Sequence, residues 1–266
     1  MKTIKDLVEE ITCHRLYDHP MWTHWSEARQ PADVTGAMFH QIQKFCASTR
    51  PGLEFPSSLR EFKMSHQAEL IEEIVASEAG HGADLATMAG NIVNRSTEGQ
   101  EVFSDVHDQE SVESGLKHYS DDLLGSLPGY RKDDGLTVQA RNAIAVFDRR
   151  GATDRETTLR NLGTALALEI NSNQSIIPGE KLALVDSGHY GVNMEDTEMH
   201  YLLDHWGELG AEQQHEANVV AAVDEVLDEE TLPHIERGMN DFLESLSALW
   251  DLLDSALLGS GESSSA

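Results

Sequence analysis

Three stretches of the sequence hold glutamate and histidine residues at spacings that suit metal binding. In the first, Glu78 and His81 stand three residues apart. On a helix this spacing places both side chains on one face, where they can converge on one ion. Because the chain has 13 histidines, such a pair also arises by chance. A solvated or capping pair is therefore the alternative interpretation.

The second stretch contains a single acid, Glu169, within the otherwise uncharged and apolar residues 166–170. Burying an unpaired carboxylate costs several kcal/mol, roughly, so a buried acid is usually paired, protonated or bound to a metal. We therefore expect Glu169 to have a partner. The alternative is that Glu169 faces water at the end of its helix, near Asn171.

The third stretch has four possible ligands on one predicted helix. At about 100° per residue, positions 205, 208, 212 and 215 fall within an arc of roughly 80°. Chance seldom places four such side chains together. The alternative is a polar face of a surface helix, and Gln213 and Glu216 show that polar residues also lie outside the arc. The four residues of this stripe are His205, Glu208, Glu212 and His215.

Imidazole and carboxylate donors without thiolates indicate iron or manganese rather than structural zinc. The sequence has no His-Glu-x-x-His motif of zinc hydrolases and no Gly-x-Ser-x-Gly motif of serine hydrolases. Neither Cys13 nor Cys46 lies near an activating motif, and no phosphate-binding glycine loop is present. A carboxylate-rich cluster can hold two ions and activate dioxygen.

The elements that must position these residues are predicted to be helices, because apolar residues recur at helical spacing and strand-like alternation is nearly absent. The stretch 176–179, Ile-Ile-Pro-Gly, is expected to end the helix that carries Glu169. Loops are predicted at 95–111 and 128–135. The predicted helices are 1–10, one that begins with Pro31 at its first position, 59–93 with a break near Gly80 and Gly82, 136–147, 158–171, 198–227 and 233–258.

The whole chain predicts one all-α domain, residues 1–255, followed by a disordered tail, residues 256–266. The formal net charge of −28 disfavours nucleic-acid partners and anionic membrane surfaces. No apolar run is long enough to span a bilayer, and the N-terminus lacks the apolar core of a signal peptide. Two cysteines suit a reduced cytoplasm. A homodimer is left open.

Taken together, the three stretches resemble the haem-oxygenase-like diiron oxidases over residues 30–250. In that family one core helix carries a Glu and a downstream His, and a middle helix carries a Glu. A later helix carries His-x-x-x-Asp-x-x-His. Glu78 and His81 match the first helix, Glu169 matches the second, and Glu212 with His215 takes the place of Asp-x-x-His.

The third match departs from the family pattern, because Glu208 stands where the first His belongs and His205 lies one turn earlier. In an alternative register, His200 and Asp204 take the places of the first His and the Asp of the motif. Gly207 then stands where the last His belongs, so the first register is preferred. The family often has a further Glu on the preceding helix, and residues 39–43 contain no acid. A mononuclear site is therefore left open.

The resemblance implies a single-domain haem-oxygenase-like helical bundle that binds two Fe(II) ions and uses dioxygen as a co-substrate. It also implies an oxidoreductase of specialised biosynthesis whose small-molecule substrate is an amine or is amino-acid-like. The implied metal ligands are Glu78, His81, Glu169, His205, Glu208, Glu212 and His215.

Three alternatives belong to other classes. The first is a metal-free protein of the same fold, either a thiaminase-like hydrolase that uses Cys46 or a cofactor-binding protein. The second is a helical interaction protein whose acidic face recruits a basic partner. Haem is the weakest, since His14 or His19 could ligate it but Arg and Lys side chains for its propionates are scarce.

Overall fold

The structure is a computed structural model that describes residues 2–78, 81–97, 99–206 and 211–259. The side chain of His81 and the remaining residues lie outside this description. Within the described ranges the chain is a helical bundle without a β-strand, and an isolated bridge joins Arg131 to Leu136 around a turn. The predicted all-α, single-domain fold is confirmed.

The helices follow one another along the chain, with longer connections at 96–108 and 125–137. Several begin at side-chain caps, such as Thr3 with its reciprocal partner Asp6, Asp108, Thr137 and Asp154. The helices are α1 (Ile4–Thr12), α2 (Met21–Glu27), α3 (Ala32–Thr49), α4 (Glu54–Glu61), α5 (Ser65–Ser77), α6 (His81–Arg95), α7 (Gln109–Leu124), α8 (Val138–Ala145), α9 (Arg155–Asn171), α10 (Ile177–Lys181), α11 (His200–His205), α12 (Ala211–Asp224) and α13 (Leu232–Leu253).

Helix α9 lies at the centre of the bundle, and its residues from Thr158 to Asn171 are buried on almost every side. It packs against α13 and α12. Gly163 of α9 and Gly238 of α13 lie where the two backbones touch, because an added Cβ at either position would collide with a carbonyl group of the other helix. This close approach fixes the position of Glu169 within the core.

The predicted break near Gly80 is confirmed, since α5 ends at Ser77 and α6 begins at His81. Glu78 caps the C-terminus of α5. The expectation that Glu78 and His81 share one face of one helix is therefore wrong. The sequence tendency agrees with this break, because glycine costs about 1 kcal/mol in a helix interior relative to alanine and the sequence has glycines at 80 and 82.

The single helix predicted over 198–227 is also wrong. A 3₁₀ turn, Thr197–Met199, leads into α11, which ends at His205 with Trp206 in an extended conformation. Helix α12 then begins at Ala211. Gly207 and Gly210 lie in the intervening stretch, where they weaken the tendency to continue the helix. His205 therefore lies on a different helix from Glu212 and His215.

The expectation that residues 176–179 end the preceding helix is wrong as well. Helical backbone continues from α9 through a π-helical turn, Ser172–Ile176, into α10 and a second π-helical turn, Leu182–Asp186. Pro178 stands in the first turn of α10, where its missing N–H is tolerated. The wider π turns absorb the irregularity in the hydrogen-bond ladder.

The two ends of the described chain are helical. Helix α1 confirms the predicted N-terminal helix. Helix α13 continues as a π-helical turn, Asp254–Leu258, in which Leu257 is buried, so helical structure extends into the segment predicted as a tail. Residues 260–266 lie outside the described ranges. Of the helices described, none has both the length and the apolar character that crossing a bilayer requires.

Candidate metal centre

Glu169 lies on the buried face of α9 and is 7% exposed. Neighbouring side chains on this helix, including Leu166 and Leu168, are also buried. The alternative that Glu169 faces water is therefore wrong. Because the helix is enclosed on all sides, its carboxylate must find a partner inside the protein.

His205 is held in one orientation by the backbone of its own helix. Its Nδ1 lies 2.6 Å from the carbonyl oxygen of Tyr201, and a carbonyl can only accept, so Nδ1 carries the proton. The ring centroids of Tyr201 and His205 are 4.4 Å apart. Nε2 lies 3.8 Å from Glu78 Oε1 and 3.7 Å from Glu212 Oε1, a position from which it could act as a metal ligand.

Helix α12 contributes Glu212 and His215, which are three residues apart and both buried. The Nδ1 of His215 lies 3.7 Å from Glu78 Oε1 and also 3.7 Å from Glu169 Oε2. Glu78, at the end of α5, has a side chain that is 17% exposed. Its Oε1 approaches both histidines.

These side chains form two groups that could each hold a metal ion. One contains Glu78, His205 and Glu212, and the other contains Glu169, Glu212 and His215. The separations of 3.7 to 3.8 Å between nitrogen and oxygen atoms are too long for direct hydrogen bonds. An ion about 2.1 Å from each ligand atom bridges pairs up to ~4.2 Å apart, so the separations suit metal binding.

Glu212 belongs to both groups and is the side chain that joins them. Its Oε1 faces His205, whereas its Oε2 is buried with no hydrogen-bond partner among the described residues. An unpaired buried carboxylate oxygen is costly. A metal ion would satisfy this oxygen. The unpaired oxygen therefore supports a metal site independently of the distances between the ligand atoms.

The electrostatics of the cluster favour a cation. Burial raises the pKa of Glu169, and the nearby charge of Glu78 raises it further. Burial and the charges of Glu169 and Glu78 likewise hold the pKa of Glu212 well above its usual range. Arg150 opposes this effect at Glu169, but its guanidinium is engaged with the carbonyls of Ser48 and Arg50. An ion among the carboxylates would relieve their repulsion.

A cavity of about 100 Å³ adjoins the cluster. Four of the candidate ligands reach its wall, namely Glu78, Glu169, His205 and Glu212. Apolar side chains such as Leu168 and Ile177 cover another part, and Cys46 and Tyr201 lie beside them. A small molecule in this cavity would therefore lie next to the metal ligands.

Five of the seven predicted ligands converge: Glu78, Glu169, His205, Glu212 and His215. Glu208 and the side chain of His81 lie outside the described residues. Among the apolar neighbours considered in the sequence, Leu168 lines the cavity and Met88 belongs to the core, whereas Trp206 is 38% exposed. The haem candidates His14 and His19 face Glu244 and Asp251 instead.

Sequence reasoning missed Tyr201 and Glu180. Tyr201 orients His205 through its backbone carbonyl, which no side-chain pattern reveals. Glu180 is 1% exposed. The sequence reasoning missed Glu180 because Pro178 and Gly179 are predicted to end the helix. If the helix is instead expected to continue into the core, a charged residue at position 180 stands out as a candidate functional residue.

No protein-family model matches the chain, and no curated protein matches it. The case for the metal centre therefore rests on the geometry of the five side chains and their burial.

Proposed function

We propose that this chain is a non-haem iron oxidase of the haem-oxygenase-like diiron class, which uses dioxygen to oxidise a small amine or an amino-acid-like substrate. The observation that carries the proposal is the pair of buried groups that share Glu212. Each group combines imidazole and carboxylate donors, the set that suits iron or manganese. Two groups joined by one carboxylate support two ions rather than one.

Iron bound in such a site would supply the one-electron chemistry that dioxygen needs to react with an organic substrate. The chain's own residues have other tasks. Glu212 and His215 hold the ligand geometry from α12, while the carbonyl of Tyr201 accepts from Nδ1 of His205 and fixes the orientation of its ring. Leu168 and Ile177 form an apolar wall that limits water around the site.

A substrate oxidised at this site must be small. A cavity of about 100 Å³ is smaller than the 150 Å³ cavity that is roughly filled by benzene in an engineered lysozyme. The net charge of −28 attracts cations and repels anions over the whole surface. Both observations support an amine over a fatty acid.

The metal-free alternative needs a reactive cysteine in the cavity. Cys46 does line the cavity, but burial raises the pKa of its thiol well above the usual value. A thiol is a weak nucleophile until it loses its proton. The thiaminase-like hydrolase is thus the less supported function, and persistence of activity in excess chelator would favour it.

The test is oxygen uptake by protein loaded with ferrous iron under anaerobic conditions. We expect amines or amino acids to accelerate uptake and to produce a transient visible absorption, and fatty acids to have no effect. Glu212→Gln should abolish the acceleration. Glu72→Gln, on an exposed side chain of α5 paired with Arg60, should leave it unchanged. Uptake that needs no iron, or silence with every amine and amino acid, would contradict the proposal.

A further inference from the structure

Arg50 carries a guanidinium group on the wall of the cavity beside the candidate metal centre. Arg50 and Gly82, near the start of α6, both line this cavity. The Nη2 of Arg50 lies 3.3 Å from the point that a Cβ on Gly82 would occupy. The guanidinium therefore lies at the cavity wall, against the backbone of α6, where the glycine leaves room for it.

The side chain of Arg50 makes no ion pair or hydrogen bond with another described residue. The described carboxylates, those of the candidate metal centre included, lie beyond ion-pair distance of it. Lys44 also lines the cavity, but its Nζ pairs with Glu113, whose Oε2 lies 2.7 Å away. A guanidinium offers several N–H donors in a fixed planar array. Arg50 therefore brings an unused cationic group to this cavity.

Gln43 adds an unused acceptor to the same wall. It precedes Arg50 by seven residues along α3, a spacing that keeps both on one face of the helix, and both line the cavity. Gln43 is 4% exposed, and its Nε2 donates to Glu113 Oε1 at 3.5 Å. This contact sets the orientation of the amide. Its Oε1 is then buried without a hydrogen-bond partner among the described residues, and a bound N–H donor would satisfy it.

An amino acid matches this pair of unused groups. A guanidinium binds a carboxylate through two parallel N–H···O bonds, and an ammonium group supplies the N–H donors that Gln43 lacks. A simple amine would leave Arg50 unused. An amino acid also carries no net charge at neutral pH, so the protein's net charge of −28 does not oppose its entry.

We propose that Arg50 binds the carboxylate of the substrate, so that the cavity selects a small amino acid over the amine that lacks a carboxylate. The carboxylate lies against the guanidinium, and the amino group lies deeper in the cavity, where oxygen acceptors of its wall receive the N–H donors. The assignment rests on the proposed function only in calling this ligand the substrate. Binding of the amino acid itself does not need iron.

The discriminating experiment measures binding of L-alanine, L-alaninamide and ethylamine to the full chain by calorimetry, with both metal-free and iron-loaded protein. The amide has the shape of the amino acid without its negative charge, and ethylamine lacks the carboxylate altogether. We expect alanine to bind at least about 10-fold more tightly than either of the others, with and without iron. Equal affinity for alanine and alaninamide would overturn the proposal even without a variant.

Arg50→Gln removes the charge and keeps the main-chain carbonyl that Arg150 binds. It should lower the affinity for alanine at least about 10-fold and leave alaninamide binding unchanged. Arg60→Gln is the matched control, because Arg60 pairs with Glu72 on the exposed surface and does not line the cavity. An equal loss in both variants, or no loss in Arg50→Gln, would refute the assignment and leave Arg50 satisfied by water.

Failure of the two proposals can be told apart. If the protein binds alanine through Arg50 but takes up no iron, the amino-acid site stands and the oxidase does not. If alanine binds only to iron-loaded protein, and binds Arg50→Gln as well as the wild type, its carboxylate is a ligand of the iron. The oxidase then stands and the assignment to Arg50 is wrong.

Discussion

Glu212 is the residue on which both ligand groups depend. Its Oε1 approaches His205, whereas its Oε2 is buried and has no hydrogen-bond partner among the described residues. Glu169 and Glu78 each belong to one of the two groups. Loss of Glu212 should therefore weaken both groups, whereas loss of another carboxylate should weaken one more than the other.

Glu212→Gln should lower the affinity for Fe(II) by at least about 100-fold, because the amide cannot supply an anionic oxygen to either group. Competition with a coloured chelator under anaerobic conditions measures this. Glu72→Gln, which removes an exposed carboxylate from α5, is the control and should bind as the wild type does. A Glu212→Gln variant with unchanged affinity would remove this residue from the site.

Glu180 predicts a pH dependence of stability in the metal-free protein. Its pKa rises from 4.5 to about 8 on folding because the side chain is buried. A raised carboxyl pKa means that the protonated form fits the fold best. Its favourable contribution to stability is complete below about pH 4.5 and is lost as the pH rises through about 8.

The melting temperature of wild type should therefore fall relative to that of Glu180→Gln between about pH 5 and about pH 9. Differential scanning calorimetry of both proteins at each pH measures the difference. Taking the difference cancels the titration of groups that the two proteins share. A constant difference across this range would show that Glu180 does not titrate as a buried acid.

At the scale of the elements, the site depends on how closely α9 and α13 approach each other. Gly238 has no room for a Cβ, which would meet the backbone of Arg160 and Thr164. Gly238→Ala should lower the melting temperature by about 5 °C or more, since overpacking outweighs the gain in helix propensity. Thermal unfolding followed by circular dichroism measures the change.

Gly151→Ala is the control for this variant. An added Cβ at Gly151 would meet only the Cβ of Glu54 at 4.0 Å, which is ordinary contact. We expect its melting temperature to stay within about 2 °C of the wild type. If Gly238→Ala is as stable as Gly151→Ala, the two helices are not packed as closely as described.

The C-terminus of α3, where Arg50 reaches the cavity wall, is held by Arg150. The guanidinium of this buried residue donates to the carbonyls of Ser48, Thr49 and Arg50. Arg150→Lys should destabilise the fold by about 2 kcal/mol, because one ammonium group cannot match the planar array of donors. Chemical denaturation measures the loss.

The matched control is Arg155→Lys, an exposed side chain whose ion pair with Glu230 contributes little. Its free energy of unfolding should remain within about 0.5 kcal/mol of the wild type. Equal stability of Arg150→Lys and Arg155→Lys would mean that the carbonyls of α3 do not need the guanidinium.

Sequence patterns predicted the ligands better than the elements that carry them. Glu169 was expected to be buried because it is a lone acid on an apolar helix, and this local feature survives in the fold. His205 and Glu78 were placed with the wrong helical neighbours, since α5 ends at Ser77 before α6 begins and α11 ends at His205 before α12 begins. Their convergence depends on tertiary packing among α5, α9, α11 and α12, which helical spacing does not encode.

At the scale of the molecule, the charge of the surface and the charge of the interior act together. The formal net charge is −28, and the buried cluster adds carboxylates around Glu212. A cation is attracted from solution and stabilised inside. Because the ligands of the two groups together come from four helices, bound ions would also link separate parts of the bundle.

The most direct test of this account is the number of ferrous ions bound per chain after anaerobic loading and removal of excess metal. We predict about two per chain, with a marked loss in His215→Ala and in Glu78→Ala. Fewer than one ion per chain, unchanged in both variants, would contradict the metal centre and leave an acidic helical bundle.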